Sequence, residues 1–196
     1  MLSWLRKLSA WPVVVPSGAF QLRPMRSYDL LTVSHWFTDL EVLRYAFGSQ
    51  AEEEALRDMA LRYQAEMDAQ RQYIITLETV DQKAFGFVRY TIHHDLYARS
   101  GNRKAARIGI LIGEKRHWGK GWGTEAMVAF VDYLFRQKSV ERIELDTAQF
   151  NTRAQRCFEK CGFIIAPPPE NYLAYATDPT PKIWMEITKS RWESRR

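Results

Sequence analysis

The sequence predicts an α/β domain built on a mixed β-sheet with helices on both faces, and three observations predict it. A Gly-rich stretch, Arg116 to Thr124, joins an apolar β-rich run to a long amphipathic helix. Upstream of it, two β-rich runs flank a turn and read as a hairpin. Downstream, strands alternate with helices. The order β-α-α-β-β-β-α-β-α-β-β therefore needs both hairpin and crossover connections, which a mixed sheet supplies.

In chain order, Phe20 to Pro24 alternates and reads as a first strand, and Ser27 is expected to cap a helix carrying Leu30, Leu31, Val33 and Trp36. His35 to Tyr45 is expected to lie between helices. Glu52 to Gln70 is rich in helix formers, with Leu56, Met59 or Ala60, and Tyr63 at helical spacing. Tyr73 to Thr79 and Ala84 to Thr91 form the hairpin around Val80-Asp81-Gln82-Lys83. His93-His94-Asp95 through Lys104 is polar and reads as a loop, and Ala106 to Gly113 as a buried strand. Thr124 to Lys138 is a helix with Met127, Phe130, Val131 and Leu134 on one stripe. Arg142 to Thr147 is a strand, Asn151 opens a helix that Gly162 ends, and Phe163 to Ala166 and Lys182 to Thr188 close the sheet.

A chain of 196 residues suits one well-buried domain, here 19–190, with an N-terminal arm over 1–18 and a basic tail over 191–196. A net charge of +5 is spread along the chain, without the basic stripe and interleaved aromatics of a nucleic-acid platform. Cys157 and Cys161 are the two cysteines, too few for a disulfide framework or a zinc site, and no metal site is expected. Pro12 and Pro16 break the apolar run near the start, and no stretch has the length of a membrane span, so a cytoplasmic protein with no membrane partner is expected.

Three glycines in Trp118-Gly119-Lys120-Gly121-Trp122-Gly123-Thr124 allow a tight turn, and the helix that follows offers unpaired amides and its positive dipole end to an anion. The expected ligand carries phosphate. A P-loop fails, because Gly119-Lys120 is followed by Gly121, and G-x-G-x-G departs from the dinucleotide fingerprint, although Glu141 and Glu144 fall near the ribose-binding position.

Arg116-x-x-Gly119-x-Gly121 after an apolar strand, followed by Asn151-x-x-Ala154 and Phe158-Glu159-Lys160-x-Gly162-Phe163, resembles the GNAT superfamily of N-acetyltransferases, from about Phe20 to Thr188. Trp118 to Ala126 looks most like the branch containing the ribosomal-protein N-terminal acetyltransferases. The resemblance implies a GNAT-like sheet and acetyl-CoA as co-substrate. It also implies direct attack of a primary amine, on a protein N-terminus or a small molecule, with no covalent enzyme intermediate. By the same resemblance the backbone of Ile110, Leu111 and Ile112 would pair with the pantetheine amides. Arg116, Trp118, Gly119, Lys120, Gly121, Gly123 and Thr124 would hold the pyrophosphate. Asn151 would bond the cofactor, cap the helix, or do both, and Phe158 would touch the CoA chain. Asp146 is the first candidate base and Glu114 the second. A homodimer is left open.

Two positions depart from the family pattern. Phe158 stands where many relatives carry a tyrosine that protonates the departing thiolate, and Ala154 where the ribosomal branch often has serine. The competing reading is therefore an acyl-CoA-binding module with little turnover. A neutral amine is required for attack. A lysine amine, with a pKa of about 10.4, is neutral in roughly one part in a thousand at pH 7, whereas an α-amine near about 7.7–8 is neutral at several per cent.

Overall fold

The computed structural model describes residues 13–14, 17–48, 65, 73–95, 103–168 and 180–196. Its strands are β1 (Val13–Val14), β2 (Phe20–Pro24), β3 (Tyr73–Thr79), β4 (Ala84–Asp95), β5 (Arg103–Ile112), β6 (Arg142–Ala148), β7 (Ile164–Ile165) and β8 (Lys182–Thr188). The helices are α1 (Asp29–Trp36), α2 (Leu40–Phe47), α3 (Trp122–Gln137), α4 (Thr152–Lys160) and α5 (Lys189–Glu193). All eight strands join one sheet in the order β1-β2-β3-β4-β5-β6-β8-β7, antiparallel except for the parallel pair β5–β6. The mixed sheet expected from the element order is present, with β1 and α5 in addition.

Alternation along the strands gives each face its own core. On one face α3 packs Met127, Phe130, Val131 and Leu134 against Val88, Ile143, Leu145 and Met185. On the other, α1 and α2 lay Val33, Trp36, Val42 and Leu43 over Phe87 and Leu111. Gly113 fits this second layer because a Cβ there would stand 2.0 Å from the Trp36 ring.

Four expectations change at the level of elements. Ser27 does not cap α1: the helix starts after Tyr28 without a side-chain cap. Asp29 instead accepts two bonds from the buried Arg23 guanidinium, at 2.7 and 2.8 Å, and one from the Arg26 amide at 2.8 Å. Arg23 also donates to Glu78 at 2.8 Å, so β2, β3 and α1 share one buried ion network. Much of His35 to Tyr45, expected between helices, belongs to helix α2 (Leu40–Phe47), because Asp39 accepts from the amides of Glu41 and Val42. His93, His94 and Asp95 are not in a loop; they extend β4 and pair with Ala105, Lys104 and Arg103 of β5. The expected C-terminal tail is packed: Trp192 is buried, Arg191 donates to the Gly162 carbonyl at 2.8 Å and Arg195 to the Lys160 carbonyl at 3.3 Å. The expected helix Glu52 to Gln70 lies outside the described residues save for position 65, which is helical.

Candidate active site

Strands β5 and β6 pair at three positions only, Ala105↔Arg142, Ala106↔Ile143 and Arg107↔Glu144. Beyond them β5 runs on to Ile112 and β6 to Ala148, and the sheet forks. The Glu141 amide donates to the Lys104 carbonyl at 2.8 Å, so the even-numbered residues of β5 turn their backbone groups toward β6. Ile108, Ile110 and Ile112 therefore face the fork. Leu111 does not: its backbone groups point toward β4, where it pairs with Phe87. Of the three expected pantetheine partners, two have the right side, and the Ile112 carbonyl already accepts from the Trp118 indole at 2.7 Å.

Past the end of β5, a short 3₁₀ turn at Lys115–His117 leads into the glycines. Gly119 and Gly121 hold φ of +71° and +85°, conformations that an L side chain disfavours. Gly121 is the N-cap of α3 and has no side chain with which to cap it. The Trp118 amide donates to the Lys115 carbonyl, and the amides of Thr124 and Glu125 to that of Gly121. The five amides of Gly119 to Gly123 have no hydrogen-bond partner among the described residues. Donors left over at the positive end of a helix suit a pyrophosphate. Arg116 and Lys120 are exposed near this turn, and the Arg116 Nε lies 3.6 Å from Glu114.

The fork and the turn open into one cleft of about 340 Å³ whose far wall is α4. His117 lies on its near side, stacked on Trp122 at 4.0 Å and 5.0 Å from Phe85. Burial, and then the neighbouring Arg116 and Lys120 charges, hold the His117 imidazole below its ordinary pKa, so it is neutral at pH 7. Asn151 is buried at the start of α4: its Oδ1 accepts from the Ala154 amide at 3.1 Å and its Nδ2 approaches the Tyr45 carbonyl at 3.5 Å. The cap is thus made, while the residue also lines the cleft.

Phe158 lines the cleft with its ring 6.0 Å from that of Phe163 and offers no proton. Cys157 also lines it. The Cys161 thiol first, and then the Thr124 hydroxyl at 3.5 Å, hydrogen-bond Cys157 and hold its thiol below the usual value. The two candidate bases lie apart. Asp146 is on β6 just past the last β5–β6 pair, 2.6 Å from Arg107 and 3.5 Å from Lys182. Glu114 accepts from the Trp36 indole at 3.0 Å, at the opposite end of β5. Neither lines the cleft.

Lining residues that the sequence reading did not assign to the site include Tyr45 on α2 and Arg153, Arg156 and Lys160 on α4. The last three recur at i, i+3 and i+7 after Asn151, a one-sided charge pattern that was available in the sequence. Tyr45 had no such signal, since its place depends on how α2 packs.

Among the described residues there is no group of three His, Cys, Asp or Glu placed to hold a metal, and no helix long and apolar enough to cross a membrane. A family model described as an acetyltransferase (GNAT) domain matches residues 20–164. The aminoglycoside N(6')-acetyltransferases type 1 of Klebsiella pneumoniae and Serratia marcescens are each 26% identical over 179 residues, covering 89% of this chain and 86% of theirs. In structure the chain is similar to the spermidine N-acetyltransferase of Vibrio cholerae in complex with CoA and spermine, with a TM-score of 0.70 at 19% identity over 89% of this chain and 98% of that one. It is also similar to AAC(6')-Ib in complex with ribostamycin and coenzyme A, with a TM-score of 0.72 at 23% identity over 91% and 98%.

Proposed function

The chain belongs to the GNAT acetyltransferase family and is an acetyl-CoA-dependent N-acetyltransferase, and from that premise we propose that its acceptor is a primary amine of a small polyamine or aminoglycoside-like molecule. The observation that carries the acceptor class is the relationship to aminoglycoside acetyltransferases over 89% of the chain, a span that includes 35–70 as well as the donor motifs. A protein N-terminus is the alternative acceptor. We further propose a cytoplasmic location and one domain that includes β1 and α5.

Acetyl-CoA supplies an acyl group activated as a thioester. The residues of this chain do the rest by binding and positioning. The amides of Gly119 to Gly123 take the pyrophosphate oxygens, and the α3 dipole adds on the order of 0.3–1 kcal/mol. The fork-facing backbone of Ile110 pairs with the pantetheine amides as a neighbouring strand would. With the pyrophosphate at the α3 end, the reactive carbonyl falls near the closed end of the fork. Asp146 stands there and Glu114 does not, which favours Asp146. Its carboxylate, already engaged by Arg107 and Lys182, orients the incoming amine and accepts its proton, directly or through water. Phe158 leaves the departing thiolate to be protonated by water.

The missing phenol favours one competing reading, a CoA-binding module with little turnover. Thiol release from acetyl-CoA, measured over spermidine, spermine, ribostamycin, kanamycin and Ala- or Ser-initiated peptides, decides among the three. Turnover with an oligoamine is expected. Turnover confined to peptides would overturn the acceptor class, and none with any amine, alongside calorimetric CoA binding, would establish the binding module.

A further inference from the structure

Resting on that donor reading, we infer that α4 carries a phosphomonoester subsite: Arg153, Arg156 and Lys160 receive the 3′-phosphate of the CoA nucleotide and make the chain select CoA over dephospho-CoA. Three observations converge on this. All three side chains line the donor cleft from one face of α4. None of them has a carboxylate partner among the described residues, whereas Arg23, Arg107, Lys115, Arg136 and Arg142 each have one. Finally, Arg153 is held in place: its guanidinium carbon is 3.8 Å from the Trp118 ring centroid and 4.5 Å from that of Tyr45.

The rings flanking Arg153 fix its orientation without neutralising it, because cation–π contact leaves the guanidinium N–H edge available. Trp118 is in turn anchored by its bond to the Ile112 carbonyl, and the Tyr45 backbone by Asn151. The result is a pre-oriented fork donor with two further cations one and two turns along the same helix. The five amides across the cleft are matched to the pyrophosphate, so the charge on α4 is surplus to that group. A phosphomonoester is the remaining anion of the donor, close to doubly charged at neutral pH, and it accepts several charge-assisted bonds at once.

The test is calorimetry on the full chain with CoA and dephospho-CoA at 150 mM salt, for the wild type and for Arg153→Gln, Arg156→Gln, Lys160→Gln and the triple variant. The three side chains are solvent-exposed, so the substitutions leave the core intact. The wild type is expected to bind CoA at least about tenfold more tightly than dephospho-CoA. Each variant is expected to weaken CoA about three- to tenfold and dephospho-CoA less than twofold, and the triple variant to bind both alike. Equal binding of the two by the wild type overturns the subsite and leaves the donor reading standing. Variants that weaken both ligands in parallel also overturn it, because the cations then serve the pyrophosphate. Binding of neither ligand overturns the donor reading together with the subsite.

Discussion

Replacing Gly121 by alanine tests the turn by its backbone alone. A Cβ at Gly121 meets nothing within 4 Å, so the substitution introduces no clash and its effect comes from φ of +85°. Holding an L residue there costs about 1–2 kcal/mol, which the exposed turn relieves by rotating out of the left-handed region. Rotation swings the Gly121 and Trp122 amides away from the cleft, and the lost energy corresponds to roughly a 5–30-fold rise in the Kd for CoA. Gly123 is the control. Its φ lies outside the left-handed range, and a Cβ there would sit at ordinary contact, 3.8 Å from the Cys157 sulfur. Inside the first turn of α3, alanine is favoured over glycine by about 0.5–1 kcal/mol, so Gly123→Ala keeps CoA affinity and holds or raises the Tm. Titration calorimetry and scanning calorimetry on the two variants give both quantities. Unchanged CoA affinity in Gly121→Ala, or a larger loss in Gly123→Ala, would refute the assignment of these amides to the pyrophosphate.

Installing the missing phenol, Phe158→Tyr, is expected to raise kcat, within the roughly 10²–10⁴-fold that a positioned acid supplies, with CoA affinity unchanged; steady-state kinetics checks both. Asp146→Asn is expected to lower kcat while leaving the Kd for CoA within about twofold, since Asp146 lies beyond the donor's phosphate end; a loss confined to donor affinity would remove it from the chemistry. Acid stability follows from the buried network. Burial on its own raises the Asp29 and Glu78 carboxyls, but Arg23 with the other donors outweighs it and holds both below their ordinary values. Stability from depressed acids is present above their unfolded pKa values, about 3.9 and 4.3, and is lost as pH falls through the lower folded values. The Tm should therefore fall from about pH 4 downward, and Asp29→Asn should both flatten that slope and destabilise, by less than the roughly 3–5 kcal/mol of a fully unpaired buried charge, because Arg23 keeps Glu78.

What the sequence made legible was local. The glycine turn, the Asn151 cap and the Gly162 helix end are each written in a few adjacent residues, and all three sit where their chemistry places them. The Ser27 cap failed because a distant partner outbid it: Arg23 and Glu78 draw Asp29 into a buried ion network that no local window contains. His93 to Asp95 looked like loop because polarity was read without the long β4–β5 pairing that carries the strand outward. Helix α2 was missed although Asp39, placed before Leu40-Glu41-Val42, is an ordinary N-cap. The fork lies in a different category. It consists of bonds not made between strands whose paired residues lie 37 apart in sequence, and the side chains of Ile108 and Ile110 are the same apolar kind that an unforked strand would carry.

That fork has a consequence for how the folded chain holds together. The leaves β1–β5 and β6–β8 share three pairs of residues, with α3 and its core spanning the remainder. On the proposed donor pairing, an extended occupant with amide groups supplies the rungs that the polypeptide omits, and the donor acts as a borrowed ninth strand. Cohesion between the leaves then follows donor concentration, rising by about 2.7 kcal/mol when the donor is at a hundred times its Kd. On that pairing, the stability of the folded protein rises with the supply of the acyl carrier.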